Sequence, residues 1–531
     1  MIPSAKPAAA ILLLAACHRA PDPLEPEALR DPEACQECHP DHYREWSGSM
    51  HAYASVDPVF RAMEAQGQAL TGGELGDFCV KCHAPAAVAL GQVAEGADLD
   101  ALSDDDPGAR GVTCWFCHQV DGMAGDPHNN PLTVADDDQM RGPIGDPVET
   151  YAHRSAASPM HDREDLRSSD LCGTCHDIVN PMGTHIERTY AEWQGSVFDR
   201  ATTAGGLTCA ACHMQGRDGV AAEAEGVRLR RVHDHAMPGV DLALTDFPEA
   251  DEQRAKVQEL LDDTVNAWLC VGPPSDTTLA LVTLENVAAG HGFPSGATAD
   301  RRAWVEIVAY QGDQVLYESG RVAPGEAIGL RTDADDPDLW RLWSRLTDPS
   351  GAQTHHFWDA AEIEDLGLLK AGTAFDPNDP AYTQTHISRQ VLVRNGPPDR
   401  IEAAVHVQPV GLEVLDQLVA EAGLDPAVAA RMETMTLQPT ILTWTPDVPV
   451  NQGDLRCVPE PPPVPAGRLL GSRRRVAITA CRASRSTGLT RCTSMPASAE
   501  RRRSSSWPRP VSATMVSACA HSRARSRSAT S

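Results

Sequence analysis

Cys35-Gln-Glu-Cys38-His39, Cys79-Val-Lys-Cys82-His83, Cys114-Trp-Phe-Cys117-His118, Cys172-Gly-Thr-Cys175-His176 and Cys209-Ala-Ala-Cys212-His213 are five copies of one pentapeptide. Two cysteines three positions apart stand on one side of a helical turn, where both sulfurs reach the vinyl groups of a single porphyrin edge. The His that follows then falls under the ring as an iron ligand. A single Cys-x-x-Cys also suits a zinc half-site or a redox dithiol. Neither chemistry calls for His after the second Cys in every copy, so the pattern reads as covalent attachment of five haem c groups. The ten cysteines bind cofactor, and His39, His83, His118, His176 and His213 are proximal ligands.

Composition agrees with a cofactor-filled core. Aromatic residues make up only 5% of 531 residues, and five macrocycles between Cys35 and His213 would supply the missing bulk. We therefore expect a mostly loop and helix domain packed around five c-type haems at 35–245. A bridging helix follows at 246–272, where Val257, Leu260, Leu261, Val265, Trp268 and Leu269 recur at helical spacing. Residues 121–150, rich in Gly, Pro, Asp and Asn, read as a surface loop. Beyond Pro273 the texture turns β-branched and alternating, with strands expected at Leu279–Leu284, Ala303–Tyr310, Val315–Tyr317, Gln390–Val393, Ile401–Val407 and Thr440–Trp444. With a helix around Leu412–Ala422, this predicts a β-sandwich-like domain at 273–457. Cys270 and Cys457 flank it and are candidates for a disulfide.

The ends are distinct. A short apolar run, Ala8–Ala16, precedes Cys17 and reads as an export signal; Leu14-Ala15-Ala16-Cys17 fits a bacterial lipoprotein signal (residues 1–16) with Cys17 lipidated, or an ordinary secretory leader with an incidental Cys. Residues 17–34, with Pro21, Pro23, Pro26 and Pro32, read as an extended tether. Residues 458–531 form an Arg- and Ser-rich, low-complexity tail, either the product of a shifted reading frame or a disordered extension. From residue 468 onward the tail holds fourteen Arg against Glu500 alone; the formal charge of −29 thus conceals −42 on the remainder. A surface so acidic disfavours nucleic acid and favours basic partners.

The sixth iron ligands must come from elsewhere. His51 follows the helix pattern after the first pentapeptide; His153 or His161 precedes the fourth; His185 follows it; His235 is preferred over His233. His291, in Ala289-Gly-His-Gly-Phe-Pro-Ser-Gly296, is either a turn residue or a ligand delivered from the second domain. His42 and His128 read as solvated. The stretch Tyr43-x-Glu45-Trp46-x-Gly48-Ser49 recurs as Tyr190-x-Glu192-Trp193-x-Gly195-Ser196. Tyr and Trp fall on one helical face, suited to packing on a macrocycle.

Trp46-x-x-Ser-x-His-Ala52, Gly111-Val-Thr-Cys-Trp-Phe-Cys-His118, Leu171-Cys-Gly-Thr-Cys-His176, Glu187-Arg-Thr-Tyr-x-Glu-Trp193 and Gly290-His-Gly-Phe-Pro-Ser-Gly296 together resemble the multihaem cytochromes c of the c-552/c-554-like family. The resemblance implies a stacked, largely bis-His array in exported electron-transfer proteins. It carries over His51, His153 or His161, and His235 as distal ligands. The second domain departs from the short four-haem members.

Three functions follow as expectations. The first is electron transfer through five haems at a bacterial membrane surface, with quinol-linked or other cytochromes as partners. The protein would be exported, periplasmic or at the cell surface, and lipid-anchored to the outer membrane. The alternative is an oxidoreductase acting on a small nitrogen or sulfur species at one open-faced haem; no Cys-x-x-Cys-Lys marks such a site. The third is a docking subunit using the β domain.

Overall fold

The computed structural model describes residues 24–93, 99, 102–103, 106–148, 150–200, 206–374, 379 and 385–458. The leader, Cys17 and the tail beyond residue 458 lie outside them. The five pentapeptides fall on short helical turns: Glu33–Gln36, Val80–His83, Cys114–Gln119, Ser168–Gly173 and Cys209–His213. The third and fifth are capped alike, because the residue before the first Cys is Thr in both. Thr113 Oγ1 accepts the Phe116 N–H, and Thr208 Oγ1 accepts the Ala211 N–H.

Residues 24–34 correct the tether expectation. Pro26–Arg30 is a 3₁₀ turn whose Leu29 is buried with Trp115 and Phe116 of the third motif, and Arg30 pairs with Asp136. Leucine in an otherwise Pro-rich run supplied the apolar anchor that an extended reading ignores. The loop expected at 121–150 is also corrected. Val120–Met123 pairs with Leu132–Val134, and Gln139–Gly142 pairs in parallel with Arg154–Ala157. Gln119 fixes this segment: its amide donates to the carbonyl of Asp137 and accepts the Asp137 N–H.

The bridging helix ends early. Ala250–Asp262 is helical, but Val265–Val271 is a strand. The apolar residues Val265, Ala267, Leu269 and Val271 alternate, and that period of two wins because it faces a sheet core. The strand joins an antiparallel sheet in the order His386–Arg394, Thr277–Asn286, Val265–Val271, Arg456–Cys457. A second sheet has Gln314–Ser319, Arg302–Gln311, Arg400–Gln408 and Met435–Thr436 in order, with Trp340–Arg341 and Leu442–Trp444 pairing alongside. Both sheets are open. Their inner faces share one apolar cluster that includes Leu269, Val282, Val393, Val305, Val405 and Trp444, which gives a sandwich-like core. The expected disulfide is present between Cys270 and Cys457, which pair directly across neighbouring strands.

Leu412–Glu421 is the expected helix. It turns Leu415 and Leu418 onto Val59 and Ala62 of the Pro58–Thr71 helix and onto Leu244, joining the β region to the cysteine-rich region in one compact unit. Among the described residues no helix is long and apolar enough to cross a membrane.

Candidate metal centres

All ten motif cysteines are free, whereas Cys270 and Cys457 are bonded. Burial pushes Cys79 up to about 12 and Cys117 and Cys212 up to about 11. Contact with a sulfur of another motif lowers two more, Cys209 to about 7 beside Cys172, and Cys35 beside Cys114. Sulfurs of different motifs thus meet. Cys35 contacts Cys114, Cys175 contacts Cys82, and Cys172 contacts Cys209. Cys117 lies within electrostatic reach of both Cys172 and Cys175. The motifs are therefore neighbours in the order one, three, four, with two and five both flanking four.

Two imidazoles sharing one iron, each through a metal–nitrogen bond of about 2.0 Å, hold their ring centres roughly 6.3 Å apart. Four of the five motif histidines have a partner at that spacing. His39 faces His153 at 6.2 Å with the rings 19° from parallel, and has His42 at 6.1 Å tilted by 58°; His118 faces His235 at 6.4 Å, His176 faces His51 at 6.3 Å and His213 faces His291 at 6.4 Å. The residues present fit haem c: a sulfur pair, a proximal imidazole and a second imidazole at the right distance. Haem bound there would supply one-electron redox chemistry.

The hydrogen bonds of these imidazoles suit a ligand role. His39, His83, His118 and His213 direct Nδ1 at the carbonyls of Ala221, Ala54, Arg141 and Pro238, and His291 and His235 at those of Gly292 and His233. Such bonds orient the ring and leave Nε2 as the metal-binding atom. Burial, reinforced by neighbouring imidazoles, pushes His51, His118 and His235 down to about 3 and His213 to about 4, so they are neutral at pH 7. His176 is the exception. Burial works against its proton, but Glu187, 3.6 Å from Nδ1, raises its pKa.

Several expected ligands are placed otherwise. His161 lies 5.6 Å from His118, but its Nε2 is engaged by the Cys117 carbonyl at 2.7 Å, so of the two candidates His153 has the required placement. His185 is set edge-on to His128 at 6.4 Å and bonds to Arg188, and it is exposed in the hairpin Ile178–Glu187. His42 is not solvated: its ring is 4.6 Å from that of His235, and burial pushes it down to about 4. His128 also departs from expectation, with a buried Nδ1. His83 stacks face to face on Phe60 at 3.9 Å and, among the described residues, has no imidazole opposite it.

The repeated Tyr-x-Glu-Trp stretch forms the helices Pro40–Ser47 and Thr189–Gly195. Tyr and Trp pack at 5.8 Å in both. Trp46 Nε1 donates to the Val112 carbonyl and Trp193 Nε1 to the Leu207 carbonyl, each two residues before a motif cysteine. Glu45 accepts the backbone N–H of His235 at 3.1 Å, and Glu192 accepts that of Gly292 at 2.9 Å. The sequence shows Glu45 and Glu192 at one position of the repeat, but not the backbone N–H that each accepts.

Residues 34–119 match the family model described as cytochrome c554 and c-prime. The fold is similar to that of a penta-haem cytochrome c552 from Thermochromatium tepidum, with a TM-score of 0.53 and 20% identity, covering 78% of this chain and 99% of that one. No curated protein matches the chain.

Proposed function

We propose that the chain, a multihaem c-type cytochrome of the c552/c554 type by its family match and fold, carries five haems and passes electrons among them. The observation that carries this is the set of four facing histidine pairs at 6.2–6.4 Å, each joining one motif His to a His from another segment. Irons with both axial positions filled by imidazole change little on reduction and have no place for substrate, which suits transfer rather than catalysis. The sulfur contacts support a branched route with motif four at the junction. The leader supports export, with a lipid on Cys17 holding the protein at a bacterial membrane, periplasmic or cell-surface. The acidic body supports basic redox partners, whose association would weaken with salt.

A second reading keeps a place for small-ligand chemistry at motif two alone, because His83 has Phe60 rather than an imidazole beside it. One experiment addresses both: ferric EPR of the haem-loaded protein, with CO titration of the reduced form. Four low-spin irons and at most one CO per chain are expected. CO uptake at two or more haems would overturn the assignment of the four pairs.

A further inference from the structure

The two copies of Tyr-x-Glu-Trp do the same job at two different motifs. In the first, Trp46 holds the carbonyl of Val112, just before the third pentapeptide, while Glu45 one position earlier holds the N–H of His235, the imidazole facing His118. In the second, Trp193 holds Leu207, just before the fifth pentapeptide, while Glu192 holds Gly292, the neighbour of the imidazole facing His213. One short helix thus grips the proximal segment with its Trp and the distal segment with its Glu.

We propose that Glu45 and Glu192 are positioning residues that deliver His235 and His291 to the third and fifth irons; this rests on the coordination reading above. Charge and hydrogen bonding favour the role. Glu45 is buried, and Arg217 at 2.8 Å secures its second oxygen. Glu192 Oε2 also accepts the Ser295 hydroxyl at 2.9 Å, and Thr189 on the same helix bonds both Ser295 Oγ and the Gly296 N–H. Gly292 makes this contact close, since a Cβ there would lie 3.0 Å from the Glu192 carboxylate. The copies part where the first has His51 and the second Phe198. Gly290, at φ 75°, rests near the Phe198 ring, which places the loop carrying His291 beside the second copy. The sandwich is thereby a coordination domain: the fifth site is incomplete without it.

The test compares full-length, haem-loaded variants by ferric EPR and CO titration, with haem per chain counted on each sample. Glu192→Ala is expected to add one high-spin iron and one CO-binding haem per chain, the signature of His291→Ala. Glu45→Ala is expected to do so at the third site, matching His235→Ala. Glu192→Gln and Glu45→Gln, which keep an acceptor oxygen, restore the low-spin state. Ser295→Ala, a milder change, gives the fifth-site signal in part. If the glutamate-to-alanine variants and Ser295→Ala take up no more CO than the wild type while the two histidine variants do, the proposal fails and the coordination reading stands. If His235→Ala and His291→Ala themselves leave spin state unchanged, the coordination reading fails and takes the proposal with it.

Discussion

Glu187 separates the fourth site from the rest. Four proximal histidines direct Nδ1 to a backbone carbonyl, whereas His176 has a carboxylate, returned to it by the hairpin in which Ile178 pairs with Glu187. A carboxylate partner raises ligand basicity and stabilises the ferric state. In Glu187→Gln, one reduction wave is expected to move to more positive potential, read by redox titration with EPR detection. The His51–His176 rings cross at 83°, against 12–26° in the other three pairs, which would give an iron held between them a distinguishable low-spin signal. An unmoved wave would show the contact to be electronically silent. In the β region, burial pushes His406 down to about 4, and Glu306 at 3.8 Å does not offset it. A histidine depressed on folding contributes stability that is present above about pH 6.5 and lost as the pH falls through 4. The loss amounts to roughly 3 kcal/mol at most. His406→Gln should therefore flatten the acid limb of a thermal-stability profile between pH 6.5 and 4; an unchanged limb would assign it to other groups.

Short elements dominate the cysteine-rich region, and their neighbours, not their length, hold them. A four- or five-residue helix has too few internal bonds to persist alone. The Cys209–His213 turn is held by its Thr208 cap, by Trp193 through Leu207, and by the bond from His213 to Pro238. The repeat was visible as residues, and its Tyr and Trp do pack together. What it grips was not visible, because Val112 and Leu207 act through their carbonyls and any side chain would serve. The misread strand Val265–Val271 makes a related point. Its residues fit a helix period as far as Leu269, and only the register with Thr277–Asn286 decides for alternation.

Across the whole molecule, two devices tie the sandwich together and to the cysteine-rich region. The Cys270–Cys457 bond closes a segment with a sequence separation of 187. Removing such a cross-link costs a domain about 2–4 kcal/mol. Cys457→Ser should lower the denaturation midpoint measured by the tryptophans of the β region, and an unchanged midpoint would mean that the shared core alone suffices. The contact of Leu415 and Leu418 with Val59 and Ala62 is the second device.

The sequence by itself determined the cofactor chemistry, since Cys-x-x-Cys-His is a local pattern in which spacing within one helical turn places both sulfurs and the imidazole. It also determined most sandwich strands, through alternation that is likewise local. The tertiary structure decided which histidine faces which, because His39 and His153, or His213 and His291, are brought opposite one another only when distant segments pack. His51, His153, His235 and His291 share no flanking pattern, while His161 and His185 look as plausible in the chain and are drawn elsewhere by Cys117 and Arg188. A distal ligand needs only a ring at one distance from another, and nothing in its own neighbourhood records that distance.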